Sequence, residues 1–343
     1  MTLTSTWQRE LSRAITDPAQ LLAELELDPA LAAPARAASS AFAVRVTRSY
    51  LARMRRGDVD DPLLRQVLPL AAELIESPGY GSDPLQEDAA ARAPNLLQKY
   101  AGRALLITTQ ACAIHCRYCF RREYPYAEQR EAEEGAGRWS AALEVIAHDT
   151  SIEEVILSGG DPLSLSDARL ARLTDAIAGM PHIQRIRVHT RQPIVLPSRV
   201  DAGLLAWLRG ISLPTVFVLH TNHPNEIDDE VRSACAKLRA AGVTLLNQSV
   251  LLKGVNDDVD TLAQLSRTLM DAGVVPYYLH LPDRVRGTAH FDVAEAEAQR
   301  LIESLSVRLS GYLVPRLVRE VPGAAYKVPS VITAPKRSAK NQQ

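Results

Sequence analysis

The stretch that decides the fold is residues 104–122, ALLITTQACAIHCRYCFRR. Its first five residues form an apolar run that ends at polar residues, and this pattern predicts a buried strand. Three of the four cysteines of the chain follow at once, Cys112, Cys116 and Cys119, in the spacing C-x₃-C-x₂-C. We therefore expect the thiols on the loop that leaves a strand, where α/β folds keep their chemistry.

Outward from this stretch, short apolar runs alternate with amphipathic segments. Helical spacing of apolar residues predicts helices around 139–146, 170–177 and 227–238, and Gly242 follows the last of these at the expected cap position. Alternating strands and helices imply right-handed crossovers and a parallel sheet. This pattern predicts an α/β fold with a partly or fully closed βα barrel, and a doubly wound open sheet is the alternative. The predicted strands are 104–108, 154–157, 185–189, 215–219, 243–247 and 274–279.

The rest of the chain is predicted to flank this core. Residues 1–76 show helical spacing and are interpreted as an N-terminal helical lobe. Residues 77–94 begin with the turn-rich run SPGYGSDP and are interpreted as a linker. The core is placed at 95–312, a C-terminal segment at 313–334, and a polar tail that is expected to be disordered at 335–343.

Composition excludes several classes of protein. The 343 residues are 46% hydrophobic, which suffices for one large α/β core. A formal net charge of -1 gives no sign of a nucleic-acid or anionic membrane surface. No apolar run approaches the roughly 18 residues of a membrane span, and the N-terminus has no signal-peptide pattern. Four cysteines, three of them clustered, do not form a disulfide framework, so we expect a cytoplasmic protein with reduced thiols.

The spacing of the three cysteines favours a metal cluster. A closed zinc site takes four ligands, and iron–sulfur clusters ordinarily take four thiolates. Three thiolates would therefore leave one iron open for another ligand. A structural zinc knuckle, with His115 as a fourth ligand, and three incidental thiols are the plainer alternatives. Cys235 lies on the apolar face of its predicted helix and is interpreted as a core residue.

With Tyr118 in the aromatic position before its last cysteine, the loop resembles that of the radical S-adenosylmethionine (SAM) enzymes. The resemblance implies a partial (βα)6-type radical SAM barrel with an N-terminal helical lobe and a short C-terminal extension. It also implies a [4Fe–4S] cluster held by Cys112, Cys116 and Cys119, with S-adenosylmethionine on the open iron. Further S-adenosylmethionine contacts that it implies are Ser158, Gly159, Gly160, Gln248 and His220.

Adjacent glycines after a strand let backbone groups approach a ligand closely, which suits Gly159 and Gly160 to such a role. His220 and His223, three residues apart, also suggest a metal site. No acidic partner is obvious beside them, so a loop that lines the pocket is the preferred interpretation.

A lysine near the end of the chain narrows the resemblance. The run PGAAYK ends at Lys327 and is similar to the Pro-Gly-Gly-Gly-Gly-Lys of lysine 2,3-aminomutases, although Ala324, Ala325 and Tyr326 depart from its glycines. The resemblance implies that Lys327 forms a Schiff base with pyridoxal phosphate. It also implies that basic residues before the first strand hold the cofactor phosphate, for which a guanidinium group gives bidentate geometry. The basic residues are Lys99 and Arg103, and Tyr100, which lies between them in the sequence, is implied as a further contact of the cofactor.

The same resemblance implies a site for lysine as the substrate. Arg121, two residues after the last cysteine, matches an arginine that binds the substrate carboxylate. Asp283 and Glu320 match the two acids that bind its ε-ammonium group. Two carboxylates offset one ammonium in a partly dry pocket, where an unpaired cation would be costly.

The implied activity is the radical conversion of L-lysine to (R)-β-lysine. The subgroup that makes β-lysine for elongation factor P is the most similar, on the runs at 277–280, 287–291 and 311–315. Implied partners are a reductant such as flavodoxin or ferredoxin, a β-lysine ligase and elongation factor P, and a homo-oligomer is possible. One alternative is an aminomutase that acts on free lysine in catabolism. Another is an aminomutase that acts on a different amino acid such as glutamate, whose acidic side chain the carboxylates of Asp283 and Glu320 would repel. Two further alternatives are a pyridoxal enzyme with an unrelated structural metal and a non-catalytic iron–sulfur protein that serves electron transfer or regulation.

Overall fold

The computed structural model describes residues 5–124 and 136–330. Within them, ten strands form a single mixed sheet in which each strand pairs with the next one along the chain. The pairs from β3 to β9 are parallel, and those at the two ends of the sheet are antiparallel. The strands are β1 (Ala91–Ala93), β2 (Leu96–Tyr100), β3 (Arg103–Thr109), β4 (Glu154–Gly159), β5 (Arg185–Thr190), β6 (Thr215–His220), β7 (Thr244–Val250), β8 (Val275–His280), β9 (Arg316–Arg319) and β10 (Val328–Pro329).

Helices surround this sheet and precede it. The α-helices of the described residues are α1 (Thr6–Ser12), α2 (Pro18–Glu24), α3 (Ala32–Ala41), α4 (Arg48–Leu51), α5 (Pro62–Arg65), α6 (Ser140–His148), α7 (Asp167–Ala178), α8 (Gln192–Val195), α9 (Ala202–Gly210), α10 (Asp229–Ala240), α11 (Val259–Asp271) and α12 (Glu295–Arg308). Short 3₁₀ turns lie at Pro29–Leu31, Ala71–Leu74, Asp88–Ala90, Ala136–Trp139, Pro162–Ser164, Pro197–Arg199, Pro224–Glu226, Ala289–Phe291 and Gly311–Leu313.

The six predicted strands are confirmed as β3 to β8, and each is followed by at least one helix. Their order in the sheet follows the chain without reversal, whereas a doubly wound sheet requires a reversal. No pairing joins β1 to β10 in the part of the chain that the structure describes, so the sheet does not close on itself. The α/β fold and the partial (βα)6 barrel predicted from the sequence are therefore confirmed, in an open form.

Alternation along the strands separates an outer face from an inner one. In β5, Ile186 and Val188 are buried in the main hydrophobic cluster together with Leu173 of α7. Arg187 and His189 alternate with them and so lie on the opposite face. The helices thus cover one apolar face of the sheet and leave the other for polar side chains.

The N-terminal helices share the core of the barrel. One cluster of buried residues includes Trp7 and Leu64 from the first 76 residues, and Leu157 and Phe217 from the sheet. Because both parts contribute to one core, the boundary at residue 76 stays a prediction, as do the boundaries at 94 and 312. The predicted tail at 335–343 lies outside the described residues. No helix of the described residues is both long enough and apolar enough to cross a membrane.

Candidate active site

Parallel strands end at the same edge of a sheet, so β3 to β9 deliver their last residues to one side of the barrel. The cysteine loop (residues 112–122) follows β3, the Gly-Gly loop (residues 158–162) begins at the end of β4, and His220 ends β6. The sites predicted from the sequence are therefore brought to a single edge.

The cysteine loop is bound to the N-terminal lobe by buried charge. The Arg117 guanidinium donates to the Glu73 carboxylate at 2.8 and 2.5 Å and to the carbonyl oxygen of Phe42 at 2.7 Å. Arg122 donates to the same carboxylate at 2.7 Å. The backbone N–H of Arg117 also donates to the carbonyl oxygen of Gln66, at 2.8 Å. The lobe therefore fixes the position of the loop between its second and third cysteines.

The three cysteines of the loop are free and half-buried. Burial, together with the nearby Asp161 carboxylate, raises the pKa of the Cys112 thiol well above its usual range. Burial and the neighbouring Cys116 raise the pKa of Cys119 to about 11. Thiolates here need a bound positive group to compensate them, and iron–sulfur clusters are held by thiolates. In the described ranges, no three His, Cys, Asp or Glu side chains are arranged as ligands of one metal ion. The donor set of the loop fits a cluster with one open iron.

Arg191, which the sequence did not single out, reaches the cysteine loop from the end of β5. It donates from Nη1 to Cys116 Sγ and to the Tyr118 hydroxyl, both at 2.7 Å. It donates from Nη2 to the buried Glu226 carboxylate at 2.8 Å. A cysteine predicted to bind the cluster is thus also a hydrogen-bond acceptor from a buried cation.

The glycines of the Gly-Gly loop permit a close approach within the chain itself. Gly159 has φ +117°, and a Cβ there would lie 2.4 Å from the carbonyl oxygen of Thr109. A Cβ on Gly160 would lie 2.5 Å from the carbonyl oxygen of Ala111, the residue before Cys112. The Gly-Gly loop therefore packs directly on the chain that enters the cysteine loop, and its contact with S-adenosylmethionine stays a prediction.

Asp161, the residue after the two glycines, ties this loop to the end of β5. Its carboxylate accepts from the Thr190 hydroxyl at 2.7 Å and from the backbone N–H groups of Arg191 and Leu163 at 2.7 and 3.0 Å. Burial raises the pKa of Asp161, although these hydrogen bonds oppose the change. The carboxylate orients the backbone from which Arg191 extends.

His220 and Gln248 are neighbours, because their Cα atoms pair between β6 and β7. His220 Nε2 shares a hydrogen bond of 2.9 Å with the Tyr118 hydroxyl, and the two rings stack at 5.6 Å. Burial, with the Arg191 charge, lowers the pKa of His220 to about 3, so its imidazole is neutral. His223 instead accepts the backbone N–H of Asn225 at 3.2 Å, which is a capping role.

The predicted cofactor and substrate residues form a second cluster. Lys327 Nζ lies 2.5 Å from Glu320 Oε2, and Lys99 Nζ lies 3.1 Å from Glu320 Oε1. Burial by itself would raise the pKa of Glu320, but the two ammonium groups have the larger, opposite effect and lower this pKa to about 2. Glu320 is therefore an anion that already binds two primary ammonium groups.

Arg121 joins this cluster to the Gly-Gly loop. It donates through Nε and Nη2 to both oxygens of Glu87, at 2.7 and 2.8 Å, and through Nη1 to Ser158 Oγ at 3.3 Å. Glu87 also lies 3.2 Å from Lys99 Nζ. Sequence reasoning missed Glu87, which lies in the predicted linker and is almost fully buried.

Asp283, Tyr100 and Arg103 complete the predicted set. Burial and the negative charge of Glu320 raise the pKa of Asp283 to about 7. Burial and the same carboxylate raise the pKa of the Tyr100 hydroxyl. The Arg103 guanidinium lies 4.6 Å from the centre of the Tyr100 ring. The charge of Glu320 therefore acts on Asp283 and Tyr100 as well as on the two lysines.

Two histidines near Lys327 were also missed. Burial and the charges of Arg187 and Lys327 lower the pKa of His189 well below its usual value, and its buried Nε2 has no hydrogen-bond partner. Burial and the charge of Lys327 also lower the pKa of His280 well below its usual value. Both strand ends therefore present neutral imidazoles to the site.

Comparison with known proteins shows the family of the chain. The model of the radical SAM superfamily matches residues 106–265. The chain is 47% identical over 324 residues to the L-lysine 2,3-aminomutase of Escherichia coli, with 94% of each chain covered. It is 44% identical to that of Haemophilus influenzae, again over 94% of each chain. It is 34% identical to that of Acetoanaerobium sticklandii, over 94% of this chain and 77% of the other. The chain therefore belongs to the L-lysine 2,3-aminomutase family of radical SAM isomerases, a membership that implies a [4Fe–4S] cluster, S-adenosylmethionine and pyridoxal phosphate as cofactors.

Proposed function

We propose that this protein converts L-lysine to (R)-β-lysine by moving the amino group from C2 to C3, in a radical reaction that depends on pyridoxal phosphate. The observation that carries the proposal is the Glu320 carboxylate, which binds the ammonium groups of Lys327 and Lys99 at 2.5 and 3.1 Å. An anion that binds primary ammonium groups in a largely buried site suits a substrate with a side-chain ammonium group.

The residues around Lys327 suit a phosphorylated aldehyde cofactor. Lys327 would hold pyridoxal phosphate through its amino group, and Lys99, Tyr100 and Arg103 would hold the phosphate. When bound, the cluster with S-adenosylmethionine supplies an organic radical, and pyridoxal phosphate supplies a conjugated ring that spreads unpaired spin. The half-buried Lys99 and the buried Arg121 supply positive charge to the site. Both pair with Glu87, Lys99 at 3.2 Å and Arg121 at 2.7 Å.

The protein would orient the substrate from both ends. Arg121 would bind the α-carboxylate, and Asp283 and Glu320 would bind the ε-ammonium group. Because the pKa of Asp283 is about 7, its carboxylate carries full charge only above that pH. A lysine-like cation would therefore bind more tightly as the pH rises through 7. An acidic side chain such as that of glutamate would meet two carboxylates and bind poorly.

The proposed role in the cell is the supply of β-lysine for the modification of elongation factor P. It is supported by the resemblance of the runs at 277–280, 287–291 and 311–315 to that subgroup. The proposed partners are a one-electron reductant such as flavodoxin or ferredoxin, and a β-lysine ligase that uses the product.

The test is anaerobic reconstitution with iron and sulfide, followed by incubation with lysine, S-adenosylmethionine, pyridoxal phosphate and a reductant. We expect β-lysine, and a much slower reaction with glutamate. Lys327→Ala is expected to abolish the absorbance of bound pyridoxal phosphate while it leaves the cluster absorbance unchanged. A loaded protein that forms no β-lysine would refute the proposal, and retained pyridoxal absorbance in the variant would show that Lys327 is the wrong lysine.

A further inference from the structure

Arg191 contacts the cysteine loop where a cluster ligand is expected. It follows β5 directly and is almost fully buried. Its Nη1 donates to Cys116 Sγ at 2.7 Å, and the same nitrogen donates to the hydroxyl of Tyr118, two residues along. This places a permanent positive charge against the sulfur of Cys116.

A buried carboxylate balances that charge on the other side. Arg191 Nη2 donates to Glu226 Oε2 at 2.8 Å, and Glu226 is fully buried. The second oxygen of Glu226 accepts from the backbone N–H of Asn222 at 2.9 Å and from Gln66 Nε2 at 3.1 Å. The carboxylate is therefore fixed at Nη2 of Arg191, whereas Cys116 contacts the other terminal nitrogen, Nη1.

The contact has a physical consequence for a cluster held by Cys116. A [4Fe–4S] cluster held here would have to accept one electron from a reductant before it could act on S-adenosylmethionine, and its reduced form would be more negative by one charge. Hydrogen bonds to ligand sulfurs and nearby positive charges stabilise the more negative form and raise the reduction potential. Both effects are strong in a buried site, because solvent screens them poorly.

We propose that Arg191 is a positioning residue that raises the reduction potential of the [4Fe–4S] cluster through Cys116, and that Glu226 limits the size of this increase. The inference rests on the cluster assigned to the cysteine loop above. It goes beyond the assignment of cofactors, because it says which residues determine how readily the cluster accepts its electron.

The test is a redox titration of the full chain, reconstituted anaerobically, with the reduced cluster measured by electron paramagnetic resonance. In Arg191→Gln, we expect the ratio of reduced to oxidised cluster at a fixed potential to fall about tenfold, equal to about 59 mV for a one-electron couple. In Glu226→Gln, we expect the ratio to rise, because Arg191 then acts on the cluster without its counter-charge. Opposite shifts from two partners of one ion pair are not expected of a purely structural role.

Arg199 provides a matched control. It is also fully buried, and it donates to the carbonyl oxygen of Leu163 and to Asp167, both at 2.7 Å. Arg199→Gln removes a buried cation that has no hydrogen bond to the cysteine loop. We expect it to lower stability and to leave the titration unchanged.

A ratio in Arg191→Gln within about threefold of the wild type, with an intact cluster, would overturn the inference. If that variant assembles no cluster, Glu226→Gln decides: a higher ratio supports the inference, and an unchanged or lower ratio overturns it. A wild-type chain that binds no cluster would overturn the proposed function as well. A normal cluster with normal β-lysine formation and no shift in either variant would overturn this inference alone.

Discussion

Replacing Glu73 by glutamine would test how the N-terminal lobe holds the cysteine loop. The Glu73 carboxylate is the shared partner of Arg117 and Arg122, whose side chains are 0% and 4% exposed. Glutamine keeps the shape of the side chain but removes its negative charge. Two buried guanidinium groups would then share a neutral amide, which accepts hydrogen bonds through only one of its two polar atoms.

The size of the effect follows from burial. Removing one partner of a buried ion pair costs about 3–5 kcal/mol, because the other charge stays desolvated and unpaired. Domains are stable by only about 5–15 kcal/mol, so a loss of this size takes a large part of the free energy of unfolding. We expect Glu73→Gln to lower the urea midpoint clearly, and to lower the iron content after reconstitution.

The assay is urea unfolding of the metal-free chain, followed by circular dichroism. Glu76→Gln is the matched control, because Glu76 lies three residues along the same segment and is exposed. We expect this control to stay within about 0.5 kcal/mol of the wild type. A loss of less than about 1 kcal/mol in Glu73→Gln would refute the reasoning, since the buried pair would then contribute no more than a surface pair.

Three further predictions concern the site itself. The KM for lysine should fall as the pH rises through about 7, because the pKa of Asp283 lies there and only its ionised carboxylate pairs with an ammonium group. Steady-state rates at several pH values check this, and Asp283→Asn should remove the pH dependence. Glu320→Gln should raise the KM for lysine at least about tenfold, because a charge-assisted hydrogen bond contributes roughly 1.5–3 kcal/mol. An unchanged KM would show that Glu320 does not bind the substrate. Gly160→Ala should cost about 1–3 kcal/mol of stability, since its Cβ would meet the Ala111 carbonyl at 2.5 Å; Gly210→Ala, where a Cβ meets nothing within 4 Å, is the control in urea unfolding.

The central strands could be predicted because their signal is local. Apolar runs and the helices between them determine β3 to β8, and each predicted range differs from the observed strand by at most three residues at either end. The two strands at each end of the sheet were not predicted. They are short: β1, β2, β9 and β10 have 3, 5, 4 and 2 residues. Four helices of the core, α8, α9, α11 and α12, were also missed, although Asp258 caps α11 in the usual way.

In the candidate site, too, some residues could be predicted from local sequence patterns and others could not. Cysteine spacing and the late lysine, with the family resemblance that they carry, are local features, so both halves of the candidate site could be predicted from the sequence. The partners that hold those residues are distant in the chain: Glu87 lies 34 residues from Arg121, and Arg191 lies 75 residues from Cys116. Arginine and glutamate are common at the surface, and no local pattern distinguishes the few that are buried.

By itself, therefore, the sequence determined the architecture and placed three cysteines on one loop in a spacing that predicts a cluster, since both features depend on residue type and spacing. The tertiary structure decided that the barrel stays open, that the N-terminal helices share its core, and that Glu73 and Arg191 act on the loop. These features depend on which charged side chains are desolvated together, and desolvation is a property of the packed chain and not of any segment of it.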